Sequence, residues 1–309
     1  MNRKTITKIL TRKHNDFLSS IEDKDVRDII DKNGIITGGS IASMLLNEKI
    51  SDYDYYFRTK EAVIKVAKYY IDRFTGLNPD NIIKPSLLYD DEPNGRVKLV
   101  VKSAGITSEN GDQGYQYFEN YPDEVGQEYV EKVIGDADEI SIEPIDDIKP
   151  KYRPVFMSSN AITLSNSVQL VIRFYGEPDD IHENYDFIHC CNYWTSWDKK
   201  LTLNSDALES LLTKNLYYQG SLYPVCSIIR LRKFIKRGWY VNAGQMLKIM
   251  FQISELDLTD IPTLEEQLTG VDAAYFHQVI DYCKEKQEKD KDFKLTTPYL
   301  ISIVEKIFG

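Results

Sequence analysis

The sequence predicts an α+β fold in which a head with a mixed β-sheet precedes a mainly helical C-terminal region. Strand-like and helix-like segments alternate through the first 200 residues, whereas helical periodicity dominates the last third. We therefore expect a head over residues 1–200 and a helical region over residues 201–309. The acidic, turn-rich stretch at about 103–154 is expected to be an insertion in the head.

Composition limits the class of protein. With 42% hydrophobic and 28% charged residues, the chain is expected to be globular, and no apolar run approaches the roughly 20 residues that cross a bilayer. We therefore expect a cytoplasmic protein with no membrane partner. The four cysteines form neither a disulfide framework nor a zinc pattern, so we expect reduced thiols. The net charge of −10 argues against a broad nucleic-acid-binding surface but leaves room for a local basic groove.

The first 34 residues predict two helices. Residues 3 to 20 have apolar positions at helical spacing among lysines, which predicts an amphipathic helix whose basic face is solvated or contacts RNA. A second helical pattern ends near Gly34, a common stop signal. The apolar pair Ile35 and Ile36 then leads into a pair of glycines.

Gly38, Gly39 and Ser40 begin the segment on which the functional interpretation rests. Apolar residues at three- and four-residue spacing follow them, so a helix is predicted to begin near Ser40. The two glycines allow a sharp turn and a close approach of a ligand to the backbone. The unpaired N–H groups at a helix start favour an anion, so this turn is suited to a triphosphate.

Two aspartates follow in a strand-like run. The aromatic residues between Asp52 and Phe57 favour a strand, and alternate strand residues point to the same side, so Asp52 and Asp54 are expected to project together. Two adjacent carboxylates repel each other unless a cation lies between them, which predicts a divalent metal with oxygen ligands, most simply Mg²⁺. With a third carboxylate, such a pair can hold two metals for nucleotidyl transfer.

This segment resembles the signature of the DNA polymerase beta-like nucleotidyltransferase superfamily, and its spacing is similar to the head of CCA-adding enzymes and bacterial poly(A) polymerases. The chain as a whole resembles nucleotidyltransferase-like proteins encoded by tailed bacteriophages. It has Ala42 and Ser43 where the CCA-adding family has Arg-Asp. The matching positions are Gly38, Gly39, Ile41, Leu45, Leu46, Asp52 and Asp54. The resemblance implies a nucleotidyltransferase-type mixed sheet and a bound nucleoside triphosphate (NTP).

The rest of the head predicts further strands around one long helix. A strong apolar stripe between Val63 and Phe74 predicts a core helix that stops at Gly76. Strands are predicted at residues 96–102, 160–164 and 168–174. Arg173 interrupts the last of these and is expected to contact phosphate or pair with an acid.

Asp186 is the candidate for the third carboxylate. It stands alone in the apolar run Tyr185–Cys191, which predicts a strand, and an ionised group there is costly unless a cation or donor compensates it. The resemblance implies that the third acidic residue lies on a later strand than the Asp-x-Asp pair. The alternative is that Asp186 caps a turn or pairs with Arg173. His189, three residues further on, would face the opposite side and is expected to be structural.

The C-terminal region contains the most concentrated positive segment of an acidic protein. A helix is predicted after Pro224, and Arg230, Lys233 and Arg237 share one of its faces. We expect Arg230 and Lys233 to contact the triphosphate or an RNA backbone, with a solvated basic face as the alternative. The segment is also similar to the nucleotide-recognition helix of CCA-adding enzymes. Further helices are predicted at residues 206–212, 241–253, 271–282 and 297–308, with an exposed charged run at 284–294.

These observations predict a Mg²⁺-dependent nucleotidyltransferase that moves a nucleoside monophosphate from an NTP to a hydroxyl and releases pyrophosphate. Asp52, Asp54 and Asp186 would hold the metals, and Gly38, Gly39 and Ser40 would cradle the triphosphate. The leading acceptor is an RNA 3′ end, such as that of a tRNA. A protein or small-molecule acceptor remains an alternative, as does a nucleotide-binding or assembly protein without turnover.

Overall fold

A computed structural model describes residues 1–77, 85–89, 95–100, 105–106, 116–117, 151–158, 160–268, 274–290 and 293–308. The strands are β1 Gly34–Thr37, β2 Tyr53–Phe57, β3 Ser86–Tyr89, β4 Val97–Val100, β5 Gly105–Ile106, β6 Gln116–Tyr117, β7 Pro154–Met157, β8 Ala161–Leu164, β9 Val168–Tyr175, β10 Tyr193–Thr195 and β11 Lys200–Thr202. The helices are α1 Arg3–Ser19, α2 Lys24–Asn33, α3 Gly39–Leu46, α4 Lys60–Leu77, α5 Pro178–His182, α6 Ser205–Thr213, α7 Pro224–Lys236, α8 Ala243–Ser254, α9 Ile261–Leu268, α10 Ala274–Lys289 and α11 Thr297–Phe308.

The described residues place nine strands in one mixed sheet, in the order β11-β10-β1-β2-β9-β8-β7-β5-β6. Strand β2 lies near its centre, antiparallel to β1 and parallel to β9. Strands β3 and β4 form a separate antiparallel pair. From Ser205 onwards, the elements described are helices. The predicted fold class, a mixed-sheet head with a mainly helical C-terminal region, is confirmed.

One face of the sheet packs against the first helices. Alternation along β2 turns Tyr55 and Phe57 into this core, where both are fully buried. Phe17 of α1 contacts Tyr55 edge-on at 5.1 Å between ring centroids, and Tyr70 of α4 stacks beyond it. The apolar residues that recur at helical spacing in α1 and α4 are therefore the residues that these helices bury against the sheet.

The opposite face of the sheet carries the even-numbered residues of β2 and meets the helical region. Tyr56 forms a small cluster there with Ile35 and Ile181. Beside it, Ala42 of α3 packs in a second cluster with Phe187 and with residues of α6, α7 and α8. The helix that follows the glycine turn is thus buried against the C-terminal region, which positions α7 beside the end of β2.

Two local predictions need correction, and a third is confirmed. The run at 185–191 is not a strand: it contains a bend at Asp186 and a short 3₁₀ helix, Ile188–Cys190, and it is buried by aromatic residues of α7 rather than by strand neighbours. Short apolar runs cannot be assigned from periodicity alone, which explains the error. Asp52 lies one residue before β2. The strand predicted at 96–102 is confirmed as β4, and it pairs with β3, which was not predicted.

Two further predictions concern the insertion and the cysteines. Most of the predicted insertion at 103–154 lies outside the described residues. Cys190, Cys191, Cys226 and Cys283 are free thiols, as expected from their spacing. Of the helices that the structure describes, none has the length and apolar character needed to span a bilayer.

Candidate functional site

The turn between β1 and α3 is held by Gly38. Its φ of +85° and ψ of −149° lie where residues with a Cβ atom are strained. Its N–H donates to the carbonyl oxygen of Cys190 at 3.2 Å. A Cβ atom here would lie 2.7 Å from Oδ2 of Asp54 and 3.3 Å from the Tyr185 hydroxyl. The missing side chain therefore lets the carboxylate of Asp54 lie directly against the backbone of the turn.

The start of α3 is open and has an unsatisfied hydroxyl. A Cβ atom built on Gly39 meets nothing within 4 Å. Ser40 is only 1% exposed, and its Oγ has no hydrogen-bond partner among the residues described. The first N–H groups of a helix also lack acceptors within the helix. A helix start with open space at its first residue is an arrangement that suits an anionic group.

Asp54 lies on β2 opposite Thr37 of β1, and Asp52 precedes the strand. Asp54 is half-buried, and the Ser51 hydroxyl donates to Asp52 at 2.7 Å. Burial and the charge of Asp52 raise the pKa of Asp54 well above its usual value, against the opposing effect of Lys233. Two repelling carboxylates at the start of a strand fit a divalent cation with oxygen ligands, which would offset both the burial of Asp54 and its repulsion by Asp52.

Asp186 forms an ion pair with Arg230. Arg230 Nη1 donates to Asp186 Oδ2 at 2.8 Å, and the side chain of Asp186 is only 12% exposed. Burial lowers the pKa of Arg230, but the charge of Asp186 and the hydrogen bond outweigh it, so the net shift is upward. Asp186 therefore pairs with an arginine, as one interpretation of the sequence expected, but with Arg230 instead of Arg173.

Asp186 and Asp54 lie on the same side of the sheet. Tyr56, two residues after Asp54, shares its face of β2 and packs on Tyr185 at 6.1 Å between ring centroids. Tyr185 directly precedes Asp186. The charges of Asp54 and Asp186 both contribute to the raised pKa of Cys190, whose main cause is burial. The two acids therefore line one region, with Cys190 near both.

Arg173 has a structural environment. It donates to Asn160 Oδ1 at 2.9 Å and to the Tyr223 hydroxyl, and its guanidinium lies 4.5 Å from the Tyr223 ring centroid. It is only 4% exposed. Both partners are neutral, so these hydrogen bonds do not pair Arg173 with an acid, which was one of the two contacts expected from the sequence.

Helix α7 brings positive charge to the site. Lys233 is exposed one turn after Arg230, and its charge acts on Asp54. At the end of the helix, Arg237 Nη2 donates to Glu48 at 3.1 Å, and Lys214 contacts the same carboxylate at 3.2 Å. Glu48 lies between α3 and β2, so this contact fastens the C-terminal end of α7 beside the aspartate strand.

Sequence reasoning missed Tyr185 and treated Cys190 only as a core residue. The Tyr185 hydroxyl lies next to the Gly38 turn, and burial raises its pKa well above the usual value, so it keeps its proton. His182 Nε2 lies 2.8 Å from Thr37 Oγ1 at the end of β1. His189 is buried between Phe234 and Trp239. Its position next to Asp186 was the one indication in the sequence that Tyr185 lies at the site. Hydrophobic periodicity does not predict that a hydroxyl group contacts a turn far away in the sequence.

The metal-binding potential resides in the Asp52 and Asp54 pair. Within the described part of the chain, no group of three or more His, Cys, Asp or Glu side chains is arranged to hold a metal ion. Asp186 is engaged by Arg230. The pair thus fits a cation, whereas the expected triad is not assembled in this arrangement.

Comparison with known proteins places the chain in a family. A family model described as Gabija anti-defense 2 family protein matches residues 8–214. The chain belongs to the Gabija anti-defense 2 family. The match includes the Gly38 turn, both strand aspartates and Asp186, and it ends before α7.

A relative from Bacillus phage SPbetaL7, named Gabija anti-defense 2, is 20% identical over 124 residues. That match spans 40% of this family member and 30% of the relative's own length. Among solved structures, the Thermotoga maritima CCA-adding enzyme in complex with tRNA-CCA aligns with a TM-score of 0.36 and 12% identity. This alignment covers 78% of the chain and 45% of the enzyme.

Proposed function

We propose that this Gabija anti-defense 2 family member is a polymerase beta-like nucleotidyltransferase that moves a nucleoside monophosphate from an NTP to an acceptor hydroxyl. The observation that carries the proposal is the Gly38 turn, which holds Asp54 against its backbone beneath the open start of α3. The unpartnered hydroxyl of Ser40 lies at the same place. A triphosphate over Gly38, Gly39 and Ser40 would accept hydrogen bonds from the first N–H groups of α3.

In this proposal, Asp52 and Asp54 hold Mg²⁺, which would supply charge stabilisation to the reacting phosphate. Lys233 of α7 adds positive charge close enough to Asp54 to act on its carboxylate. The acceptor oxygen attacks the α-phosphorus in line, and its proton passes to the third carboxylate, proposed below as Asp186. The bond between the α-phosphorus and the oxygen that bridges to the β-phosphorus breaks, and pyrophosphate leaves with that oxygen. The protonated hydroxyl of Tyr185, which shares a hydrogen bond with Tyr56, borders the turn at which the ligand would lie.

Asp186 completes the proposal as the third carboxylate, and this role places a condition on Arg230. In the present arrangement Arg230 neutralises Asp186 at 2.8 Å. A triphosphate is a stronger partner for a guanidinium than one carboxylate, because it offers several charged oxygens. We therefore propose that Arg230 exchanges Asp186 for phosphate when the nucleotide binds, which releases Asp186 towards the acceptor.

For the acceptor, we propose an RNA 3′ end, such as that of a tRNA, in the host cytoplasm. Support comes from the exposed cations of α7, the helix that carries Arg230, namely Arg232, Lys233 and Lys236. Phosphate contacts from such residues position a nucleic acid strand without reading its sequence. A protein or small-molecule hydroxyl remains the competing acceptor.

A second candidate function is an anti-defence protein that binds a nucleotide without turnover. Family membership favours it, because the family's name describes counteracting Gabija and no chemistry. The ion pair between Arg230 and Asp186 also favours it, since an occupied third carboxylate is compatible with binding alone.

The test is a transfer assay with each α-labelled NTP, Mg²⁺, total RNA and cell lysate. Nucleotidyl transfer predicts label in RNA or in protein, and the binding-only candidate predicts bound nucleotide without transferred label. Asp52→Asn with Asp54→Asn should remove transfer. Asp72→Asn on the exposed side of α4 is the control and should leave it intact. Unchanged labelling by the double variant would show that the site is assigned wrongly.

A further inference from the structure

The segment from residue 210 to residue 254 differs in charge from the rest of the chain. It contains no Asp or Glu and carries a formal charge of +7, whereas the remaining residues together carry −17. It includes helices α7 and α8, which pack against each other. Its cations are Lys214, Arg230, Arg232, Lys233, Lys236, Arg237 and Lys248.

Helix α8 has one buried side and one exposed apolar side. Gln245 and Ile249 are buried, and Ile249 joins the cluster beneath α7. The α8 apolar row consists of four residues at helical spacing that are 42%, 45%, 59% and 64% exposed: Met246, Leu247, Met250 and Phe251. A helix needs only one apolar side to pack on its own domain. The second side therefore requires another explanation, and contiguous exposed apolar patches mark interaction sites.

We propose that the α8 apolar row is a docking surface for a protein partner that presents apolar side chains flanked by Asp and Glu, as an acidic amphipathic helix does. The row would bury the apolar side chains of the partner. The exposed cations of the segment, Lys248 on the same helix and Lys236 at the end of α7, would meet the partner's carboxylates; Lys248 Nζ also lies 3.5 Å from the carbonyl oxygen of Tyr218. Methionines suit such a role because their flexible, polarisable side chains adapt to a partner's shape. This inference goes beyond nucleotidyl transfer and does not depend on it.

The same observations argue against three other occupants. A second copy docked through the same row would bring two positive segments together, which is repulsive even though Asp186 and Glu48 pair with three of the seven cations. Nucleic acid would gain little from Met246, Leu247 and Met250, because single-stranded bases bind by stacking on aromatic rings. An anionic membrane would meet one cation on α8, whereas helices that lie on membranes carry many. A dissimilar acidic protein satisfies both the charge and the apolar row.

The first experiment is photo-crosslinking in phage-infected host cells from a benzoyl-phenylalanine placed at Phe251 of the full chain. The control carries it at Ile301 on α11, an exposed apolar position 54% accessible. The proposal predicts an adduct with one acidic protein from position 251 that is absent from position 301. That protein is then identified, purified and titrated against the full chain.

The titration decides the proposal. Met250→Ala with Phe251→Ala should weaken binding at least about tenfold, because central apolar contacts dominate interface energies. Lys236→Glu with Lys248→Glu should also weaken binding and reduce its salt dependence. Ile301→Ala should have no effect, and Asp52→Asn with Asp54→Asn should bind normally. Circular dichroism and urea unfolding of each variant establish that the fold is kept.

Other results overturn the proposal. These are no adduct at Phe251, an adduct with a second copy confirmed by sedimentation velocity, or an adduct with RNA. Flotation of the full chain with phosphatidylglycerol vesicles, lost in the Met250→Ala, Phe251→Ala variant, would assign the row to a lipid surface instead. A purified partner whose affinity is unchanged by that variant would show that the row is not its docking site.

Discussion

Replacing Gly38 by alanine tests the geometry on which the site depends. Alanine would add a Cβ atom 2.7 Å from Oδ2 of Asp54 and 3.3 Å from the Tyr185 hydroxyl, at a φ of +85°. The neighbouring Gly39 is the matched control, since its Cβ position is open and its φ is ordinary for a helix start. One methyl group is therefore added in both variants, but only the methyl group at position 38 strains the backbone and meets Asp54.

The expected magnitude follows from two terms. Holding a residue other than glycine in such a backbone region costs about 1–3 kcal/mol. Moving the Asp54 carboxylate away from the new methyl adds about 1–2 kcal/mol, as in overpacked sites. We therefore expect Gly38→Ala to lower the free energy of unfolding by about 2–5 kcal/mol. Gly39→Ala should change it by less than about 1 kcal/mol, because alanine is a better helix residue than glycine.

Urea unfolding followed by circular dichroism measures both variants. Combining Gly38→Ala with Asp54→Ala separates the two terms, because removal of the carboxylate relieves the close contact but not the backbone strain. The coupling energy of that double-mutant cycle should be about 1–2 kcal/mol. Wild-type stability in Gly38→Ala, or zero coupling, would refute the close approach of Asp54 to the turn.

Three further predictions concern charged groups. Arg230→Met leaves the Asp186 carboxylate buried and unpaired, so the free energy of unfolding measured in urea should fall by about 3–5 kcal/mol. Asp186→Asn in the same chain should recover most of this loss. No recovery would contradict the pairing. Asp54→Asn should stabilise the ligand-free protein, because burial and the like charge of Asp52 raise the pKa of this carboxyl. The gain in the free energy of unfolding should be largest at alkaline pH and should vanish below about pH 4, where the carboxyl is protonated in both the folded and the unfolded chain. A gain that does not depend on pH would contradict this explanation. Burial lowers the pKa of His14 to about 4, so the unfolded chain binds more protons than the folded chain between pH 6.5 and 4. The free energy of unfolding should therefore fall by about 3 kcal/mol as the pH is lowered through this window. His14→Gln should flatten that pH dependence in urea unfolding.

Local features were readable from the sequence because their causes lie close together along the chain. The glycine turn, helix α3 and strand β2 span only residues 38–57, and each follows from backbone freedom, helical spacing or aromatic content. The early helices were predictable for a similar reason, because the spacing of apolar residues in a helix such as α4 indicates which side is buried. The strand predicted at 185–191 was wrong because aromatic burial by α7 leaves the same apolar run as burial in a sheet would.

The partners of charged groups depended on distances through space. The sequence offered Arg230 to a phosphate and Asp186 to a metal, whereas the folded chain pairs the two across 44 residues. Likewise, Glu48 is an ordinary turn residue in the sequence, yet it ties Arg237 and Lys214 to the aspartate strand. Backbone preferences and apolar spacing act over a few residues, so the sequence alone determined the elements and the glycine turn. Electrostatic pairing and the exposure of α8 depend on how those elements pack, and only the tertiary structure decided them.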